Sequence, residues 1–287
     1  MYEDYYRLDK RPFMTAPDQR FVFWSESHIL AFTMLRYGVL TRAPLTLVTG
    51  EIGAGKTTLI RKLIDEMPQE TVVGLVSNMQ SGRGELLEWV MTALDQSVDG
   101  KSYVELFNAF QSFVVDAYAS GRRVILIFDE AQNLSIESLE ELRMLSNINS
   151  DGDDLLQMIL VGQPQLRDLV GRPELVQFAQ RVSSDFHLGA LTAEEADSYI
   201  QHRLSVAGAK WRIFPKESSA LIHQATRGVP RLVNVLCDLS LVYGFSAERK
   251  VVGPDLIREF LADASRRGIY QQFSRLDDSP KLVREAF

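Results

Sequence analysis

The sequence predicts an α/β domain with a parallel sheet between helices, followed by a small all-helical domain. Short runs of Val, Ile and Leu at 45–50, 71–77, 124–129 and 155–162 alternate with helical patterns. Continuous apolar strands of this kind are typical of parallel sheets that are buried on both faces. After about residue 190 the pattern changes to helices alone. We therefore expect an α/β core with a separate helical lid domain.

Four segments follow from this pattern. Residues 1–44 form an aromatic-rich segment with one helix, whose apolar positions recur at roughly helical spacing, and we expect this segment to pack on the core. Residues 45–190 form the α/β core, in which 182–191 is a fifth candidate strand. Residues 191–265 form the helical lid, and 266–287 a polar tail.

Composition excludes several classes of protein. Of the 287 residues, 46% are apolar and 24% charged, which is enough to bury a sizeable core. The single cysteine, Cys237, forms no intrachain disulfide, and its apolar neighbours indicate a core thiol. No apolar run is long enough to span a bilayer, and the first residues are aromatic and charged where a signal peptide is apolar. We expect a cytoplasmic protein.

Charge is distributed unevenly along the chain. Residues 1–190 carry 17 Lys or Arg and 26 Asp or Glu, a net charge of −9, whereas 266–287 carry a net charge of +2. An acidic body disfavours binding to polyanions, so nucleic acid becomes the less favoured partner.

The strongest motif is Gly50-Glu51-Ile52-Gly53-Ala54-Gly55-Lys56-Thr57, between a predicted strand and a predicted helix. It fits G-x-x-x-x-G-K-[ST], the phosphate-binding loop of nucleoside triphosphatases. Its glycines let backbone N–H groups turn toward phosphate oxygens, Lys56 reaches the β- and γ-phosphates, and the Thr57 hydroxyl can ligate Mg²⁺. The candidate nucleotide-binding residues are Gly50, Glu51, Ile52, Gly53, Ala54, Gly55, Lys56, Thr57 and Thr58.

A second motif ends the third predicted strand. Val124 to Phe128 are apolar and are followed by Asp129 and Glu130. Beside a phosphate-binding loop, Asp129 would hold Mg²⁺ and Glu130 would polarise the attacking water.

Three further positions are less specific. Gln163 follows the next strand, where it could orient water or serve as an ordinary loop residue. Arg231 opens a helix of the lid, and a cation at a helix N-terminus suggests a nearby anion. Arg181 is a candidate for an arginine supplied to a neighbouring active site, with Arg167 and Arg172 as competitors.

Taken together, these blocks resemble the AAA+ ATPases, and more narrowly those of the ExeA general-secretion type. The likeness extends over about residues 1–265, through TGEIGAGKTTLIRKL, FDEAQNL, ILVGQPQLR, QRVSSDFHL and RGVPRLVN. The resemblance implies ATP and Mg²⁺ as ligands, Gln163 as a first sensor, Arg231 as a second, and an N-terminal segment near the adenine. In one position the sequence departs from the expected pattern, because Asp185 stands where a basic residue is expected.

The resemblance also implies a function. We expect an ATPase that assembles with copies of itself and couples hydrolysis to the assembly of secretion, pilus or envelope polysaccharide machinery, with a protein partner that could hold it at the inner membrane. One alternative is a DNA-assembled regulator similar to the TnsC and TniB transposition ATPases. Another is a nucleotide-dependent scaffold with little turnover.

Overall fold

A computed structural model of the chain describes residues 1–14, 18–77, 86–150, 153–267 and 273, and it confirms the predicted fold class. The chain forms two compact units. The sheet unit contains Glu26–Glu51 and Gly55–Gly189, and the helical unit contains Met1–Ser25, Ile52–Ala54 and Ala190–Phe287. No helix in the described part of the chain combines the length and apolar character needed to cross a membrane.

Five parallel strands form the sheet in the described residues: β1 (Leu45–Gly50), β2 (Thr71–Val76), β3 (Arg123–Phe128), β6 (Leu156–Gly162) and β7 (Val182–Leu188). A separate short pair, β4 (Asn149–Ser150) and β5 (Asp153–Asp154), lies outside this sheet. The order in the sheet is β2-β3-β6-β1-β7. Every residue of β1 and β6 is buried, as their apolar sequences predict. Because the strands are parallel, β1, β3 and β6 all end at one edge of the sheet.

Helices of the sheet unit pack on this sheet through one apolar face each. In α5 (Tyr103–Ala119), for example, Leu106, Phe110 and Val114 recur at four-residue spacing and are fully buried. The helix begins with a capping box between Ser102 and Glu105. The helices are α2 (Glu26–Leu40), α3 (Lys56–Asp65), α4 (Leu86–Ala93), α5 (Tyr103–Ala119), α6 (Ile136–Leu145), α7 (Gln165–Val170) and α8 (Val176–Ala179).

The helical unit has its own apolar core. Its helices are α1 (Tyr2–Tyr6), α9 (Ala193–Val206), α10 (Lys216–Thr226), α11 (Pro230–Ser246) and α12 (Pro254–Arg267). Cys237 is fully buried in this core, as its neighbours predict, and burial raises the pKa of its thiol. The helix α9 begins with a capping box between Thr192 and Glu195.

The N-terminal segment divides differently from the predicted 1–44 unit. Residues 1–25 group with the helical unit, whereas the helix α2 belongs to the sheet unit. The physical reason is aromatic burial, because Tyr2, Tyr6 and Phe13 insert their rings into the core of the helical unit. The sequence analysis placed this segment on the α/β core, because an aromatic-rich composition does not show which core receives the rings.

Some predicted features lie outside the described residues or differ from prediction in detail. The first two residues of the helical pattern before α4 and nearly all of the predicted tail lie outside the described residues. Phe273 is described, and it is buried against Phe260 in the helical core, with ring centroids 6.4 Å apart. A two-residue antiparallel pair, β4 (Asn149–Ser150) with β5 (Asp153–Asp154), was not predicted.

Arg203 is a buried charge that joins α9 to the N-terminal segment. The side chain is 7% exposed. The guanidinium donates to the Pro12 carbonyl at 2.6 Å, the Met14 carbonyl at 3.1 Å and the Tyr199 hydroxyl at 2.8 Å. It also lies 4.9 Å from the centroid of the Phe21 ring. Arg203 therefore satisfies acceptors that no shorter side chain could reach.

We predict that Arg203→Ala destabilises the protein by roughly 2–4 kcal/mol, since it leaves buried acceptors without donors. The measurement is denaturant unfolding followed by circular dichroism. The control is Arg258→Ala, which removes an exposed arginine of α12 and should change stability by no more than about 0.5 kcal/mol. Equal effects of the two variants would contradict the structural role of Arg203.

Candidate nucleotide-binding site

The loop between β1 and α3 has the backbone that its glycines predict. Gly53 and Gly55 have φ angles of +81° and +103°, which other residues rarely adopt. A Cβ atom on Gly55 would lie 2.8 Å from Nε2 of His28, which is buried on α2. His28 therefore packs against this glycine. Both conformation and space therefore require glycine at position 55.

Lys56 begins α3 and folds its side chain back into the loop. Its ammonium donates to the carbonyl oxygens of Gly50 at 2.7 Å and Glu51 at 2.9 Å, and the residue is 7% exposed. Burial lowers the pKa of Lys56, and the nearby Glu130, Asp129 and Glu51 carboxylates oppose that shift. The Lys56 ammonium therefore lies at the N-terminus of α3, where the helix dipole is positive. An anion bound there would interact with both.

The two predicted magnesium ligands come together across the sheet edge. The Thr57 hydroxyl on α3 donates to Oδ2 of Asp129, directly after β3, at 3.2 Å. Among the described residues, no group of three or more His, Cys, Asp or Glu is arranged to hold a metal ion. Mg²⁺ in triphosphatase sites takes one or two protein oxygens together with phosphates and waters, and the Thr57–Asp129 pair fits that pattern.

Glu130 lies at the centre of a hydrogen-bond network at the same edge. It adopts a left-handed backbone conformation, with φ of +57°, and its amide donates to Oδ1 of Asp129 at 2.9 Å. Its Oε2 accepts from Nε2 of Gln132 at 2.7 Å and from Nε2 of Gln163 at 3.4 Å. The structure therefore brings the predicted Gln163 to the predicted catalytic carboxylate.

Gln132 is a site residue that the sequence analysis did not single out. Besides its bond to Glu130, its Oε1 accepts from the backbone N–H of Gln163 at 2.9 Å. A Cβ atom on Gly162 would lie 2.8 Å from that same oxygen, so the end of β6 has no room for a larger residue. The sequence shows a glutamine two positions after Glu130, which was the one available indication of its role. The second contact of Gln132 could not be read from the sequence, because its partner is 31 residues away along the chain.

The three candidate arginines have different surroundings. The guanidinium of Arg181 donates to the Ser146 carbonyl at 3.3 Å and to Oδ1 of Asn147. Arg167 forms a two-point ion pair with Asp185, at 2.7 and 3.2 Å. This ion pair explains why an acidic residue stands at position 185, because the Asp185 carboxylate neutralises the charge of Arg167.

Arg172 is exposed and precedes a short 3₁₀ helix at Pro173–Leu175. In the described part of the chain, none of these arginines contacts the phosphate-binding loop or Glu130.

The remaining predicted residues lie along the loop and in the helical unit. Arg231 is the second residue of α11, and its N–H donates to the Gly53 carbonyl at 3.3 Å within the helical unit, to which 52–54 belong. In the loop, Glu51 and Ile52 are exposed, Ala54 is buried, and Thr58 is half-buried on α3. A Cβ atom on Gly50 would lie 2.7 Å from the Leu188 carbonyl, so position 50 also requires glycine.

The fold and the site are similar to those of an AAA domain. Residues 40–170 match the family model described as an AAA domain. The chain is also 34% identical over 258 residues to general secretion pathway protein A of Aeromonas hydrophila, which confirms the resemblance found in the motifs. That match covers 89% of this chain and 47% of the relative, so the chain spans about half the length of the protein it matches.

Solved structures show the same fold at low identity. The ORC2 protein of Aeropyrum pernix, solved in ADPNP–ADP complexes, has a TM-score of 0.61 at 17% identity, over 89% of this chain and 72% of that one. Cdc6p from Pyrobaculum aerophilum has a TM-score of 0.62 at 17% identity, over 86% and 71%. A Walker-type ATPase of Pyrococcus abyssi has a TM-score of 0.59 at 17% identity, over 89% and 80%.

We predict that Gln132→Ala lowers the kcat of ATP hydrolysis by roughly 10-fold or more while the affinity for ATP stays within about 2-fold. The reason is that the amide orients Glu130 without lying at a phosphate-binding position, and small losses of orientation are costly to catalysis. The measurements are steady-state turnover and equilibrium binding of a fluorescent ATP analogue.

The matched control is Gln165→Ala, an exposed glutamine at the start of α7. It should leave both quantities unchanged. A Gln132→Ala protein with wild-type kcat, or one that loses ATP affinity in parallel with kcat, would show that the amide does not act by positioning Glu130.

Proposed function

We propose that this protein binds and hydrolyses ATP with Mg²⁺, assembles with copies of itself, and couples hydrolysis to the assembly of secretion, pilus or envelope polysaccharide machinery. The observation that carries the proposal is the convergence of Lys56, Thr57, Asp129 and Glu130 at one sheet edge. The connection to secretion rests on the likeness to general secretion pathway protein A. In this account the protein is cytoplasmic and reaches the inner membrane through a partner.

Binding begins at the phosphate loop. Lys56 exchanges its bonds to the Gly50 and Glu51 carbonyls for oxygens of the β- and γ-phosphates, and the loop N–H groups donate to the same anion. Thr57 and Asp129, now bonded to each other, are the residues that would hold Mg²⁺. When bound there, the metal would neutralise charge that develops on the phosphate oxygens.

Hydrolysis depends on Glu130. Its carboxylate accepts a hydrogen bond from the attacking water, whose oxygen forms a bond to the γ-phosphorus while the bond to the β-phosphate oxygen breaks. Gln163 lies beside this carboxylate and serves as the first sensor of the γ-phosphate. Arg231 serves as the second sensor. An arginine from a neighbouring copy, either Arg181 or Arg172, completes the charge stabilisation.

The DNA-assembled alternative gains little from two arginines of the helical unit. Arg203 is buried and bonded to backbone carbonyls. Arg212 is bonded to Asp197 and to the Phe214 carbonyl. Both charges are therefore engaged within the helical unit.

We predict that Glu130→Gln binds ATP within a few-fold of wild-type affinity but loses roughly 100-fold or more in turnover, since the amide is a far weaker acceptor for the proton of the attacking water. The measurement is phosphate release per subunit across a range of protein concentrations. The control is Glu70→Gln, which makes the same charge change at an exposed position before β2. Unchanged turnover in Glu130→Gln would refute the catalytic role.

The same assay, repeated with duplex DNA at moderate salt, separates the alternatives. Turnover that rises with protein concentration and ignores DNA supports active sites completed by neighbouring copies. Turnover that requires DNA supports the transposition-type regulator. Tight ATP binding with negligible turnover at every concentration supports a scaffold.

A further inference from the structure

A second polar pocket lies at the opposite edge of the sheet, where the central strands begin. Arg42, Arg122 and Arg123 line this cavity of about 200 Å³. Arg42 lies three residues before β1, and Arg123 is the first residue of β3. We call the cavity lined by these three arginines the arginine pocket. The strands run from this pocket to the phosphate-binding edge. At about 3.3 Å per residue, the two edges are roughly 20 Å apart.

The arginine pocket carries positive charge that the described residues do not neutralise. The lining residues include no Asp or Glu, and in the described part of the chain none of the three arginines forms an ion pair. Arg123 makes one long bond to the Val39 carbonyl, at 3.4 Å. The helices α2 and α5 end here, and each C-terminus supplies a partial charge of about −0.5. Three full positive charges exceed that sum.

The pocket wall includes a buried amide whose oxygen accepts no hydrogen bond from the described residues. Gln157 is 5% exposed, and its Nε2 donates to the carbonyls of Gly38 at 3.2 Å and Ala43 at 3.4 Å. Its Oε1 is buried and accepts from no donor among the described residues. A buried acceptor without a donor is unfavourable.

An apolar stripe on α2 leads to this pocket. Ile29, Leu30, Tyr37 and Leu40 are 53–69% exposed, and at 100° per residue they fall within an arc of about 100°. We call these four residues the α2 stripe. Exposed apolar patches of this kind mark protein interfaces, and Tyr and Arg are enriched in such interfaces. Leu40 precedes Arg42 by two residues, so the stripe ends beside the pocket.

We propose that the α2 stripe and the arginine pocket together dock an acidic amphipathic segment of a protein partner. Its apolar face lies along α2, and its carboxylates enter the pocket. A polypeptide supplies both carboxylates and apolar side chains, which match the arginines and the stripe. A nucleic-acid backbone has no apolar face that would pack on the α2 stripe. Its phosphates would also be repelled by the net charge of −9 on residues 1–190.

The test uses two fluorescein-labelled, helical synthetic peptides of about 15 residues, each with leucines on one face. One peptide carries two glutamates at its N-terminal end, and the other carries them at its C-terminal end. Binding is measured by fluorescence anisotropy. We expect at least one peptide to bind, and we expect its Kd to rise about 10-fold or more with Arg122→Glu, with Leu40→Ser, or when glutamine replaces both glutamates.

Arg61→Glu, an exposed charge reversal on α3, is the matched control and should leave the Kd unchanged. The ATP turnover of Arg122→Glu should equal that of wild type, which separates loss of docking from loss of folding and from failure of the proposed function. The proposal is overturned if neither peptide binds, if binding ignores Arg122→Glu and Leu40→Ser, or if a 16-base-pair duplex binds through Arg122 in place of the peptides.

Discussion

The folding of Lys56 into the loop that precedes it is the interaction on which the site depends. A buried ammonium is unfavourable unless it is hydrogen-bonded, and here two backbone carbonyls at 2.7 and 2.9 Å supply the acceptors. The loop can wrap around the cation because Gly53 and Gly55 adopt positive φ angles. It stays in place because His28 packs against Gly55. The helix α3 therefore starts where a phosphate would meet both the cation and the helix dipole.

The carboxylate side of the site is held in a different way. Asp129 and Glu130 follow a strand whose last five residues are buried. Their positions are fixed by contacts within their own loop and by contacts with the residue after β6. Gln132 joins Glu130 to the backbone after β6, and the small Gly162 makes room for that amide. Polar networks of this kind are stable only when each member is satisfied, which ties the conformation of one loop to that of the other.

Sequence reasoning predicted the strands, the phosphate loop and the Asp129–Glu130 pair because these features are encoded locally, in apolar runs and short motifs. It did not identify Gln132, because the second bond of this side chain reaches a residue in another loop. It assigned the N-terminal aromatic residues to the α/β core, whereas their rings are buried in the core of the helical unit. It also did not distinguish the buried Phe32 from the exposed Ile29 on α2. The arginine pocket was missed for the same reason, since Arg42 and Arg123 become neighbours only in the folded sheet.

The central claim is that the loop around Lys56 binds a triphosphate, and calorimetric titration of Mg-ATP into wild-type protein and Lys56→Ala tests it most directly. The account predicts one binding site per chain in the wild type and no detectable binding in Lys56→Ala, with both proteins unfolding at similar temperatures. Equal affinity in the two proteins would contradict the account, because the nucleotide would then bind without the interaction on which the site is built.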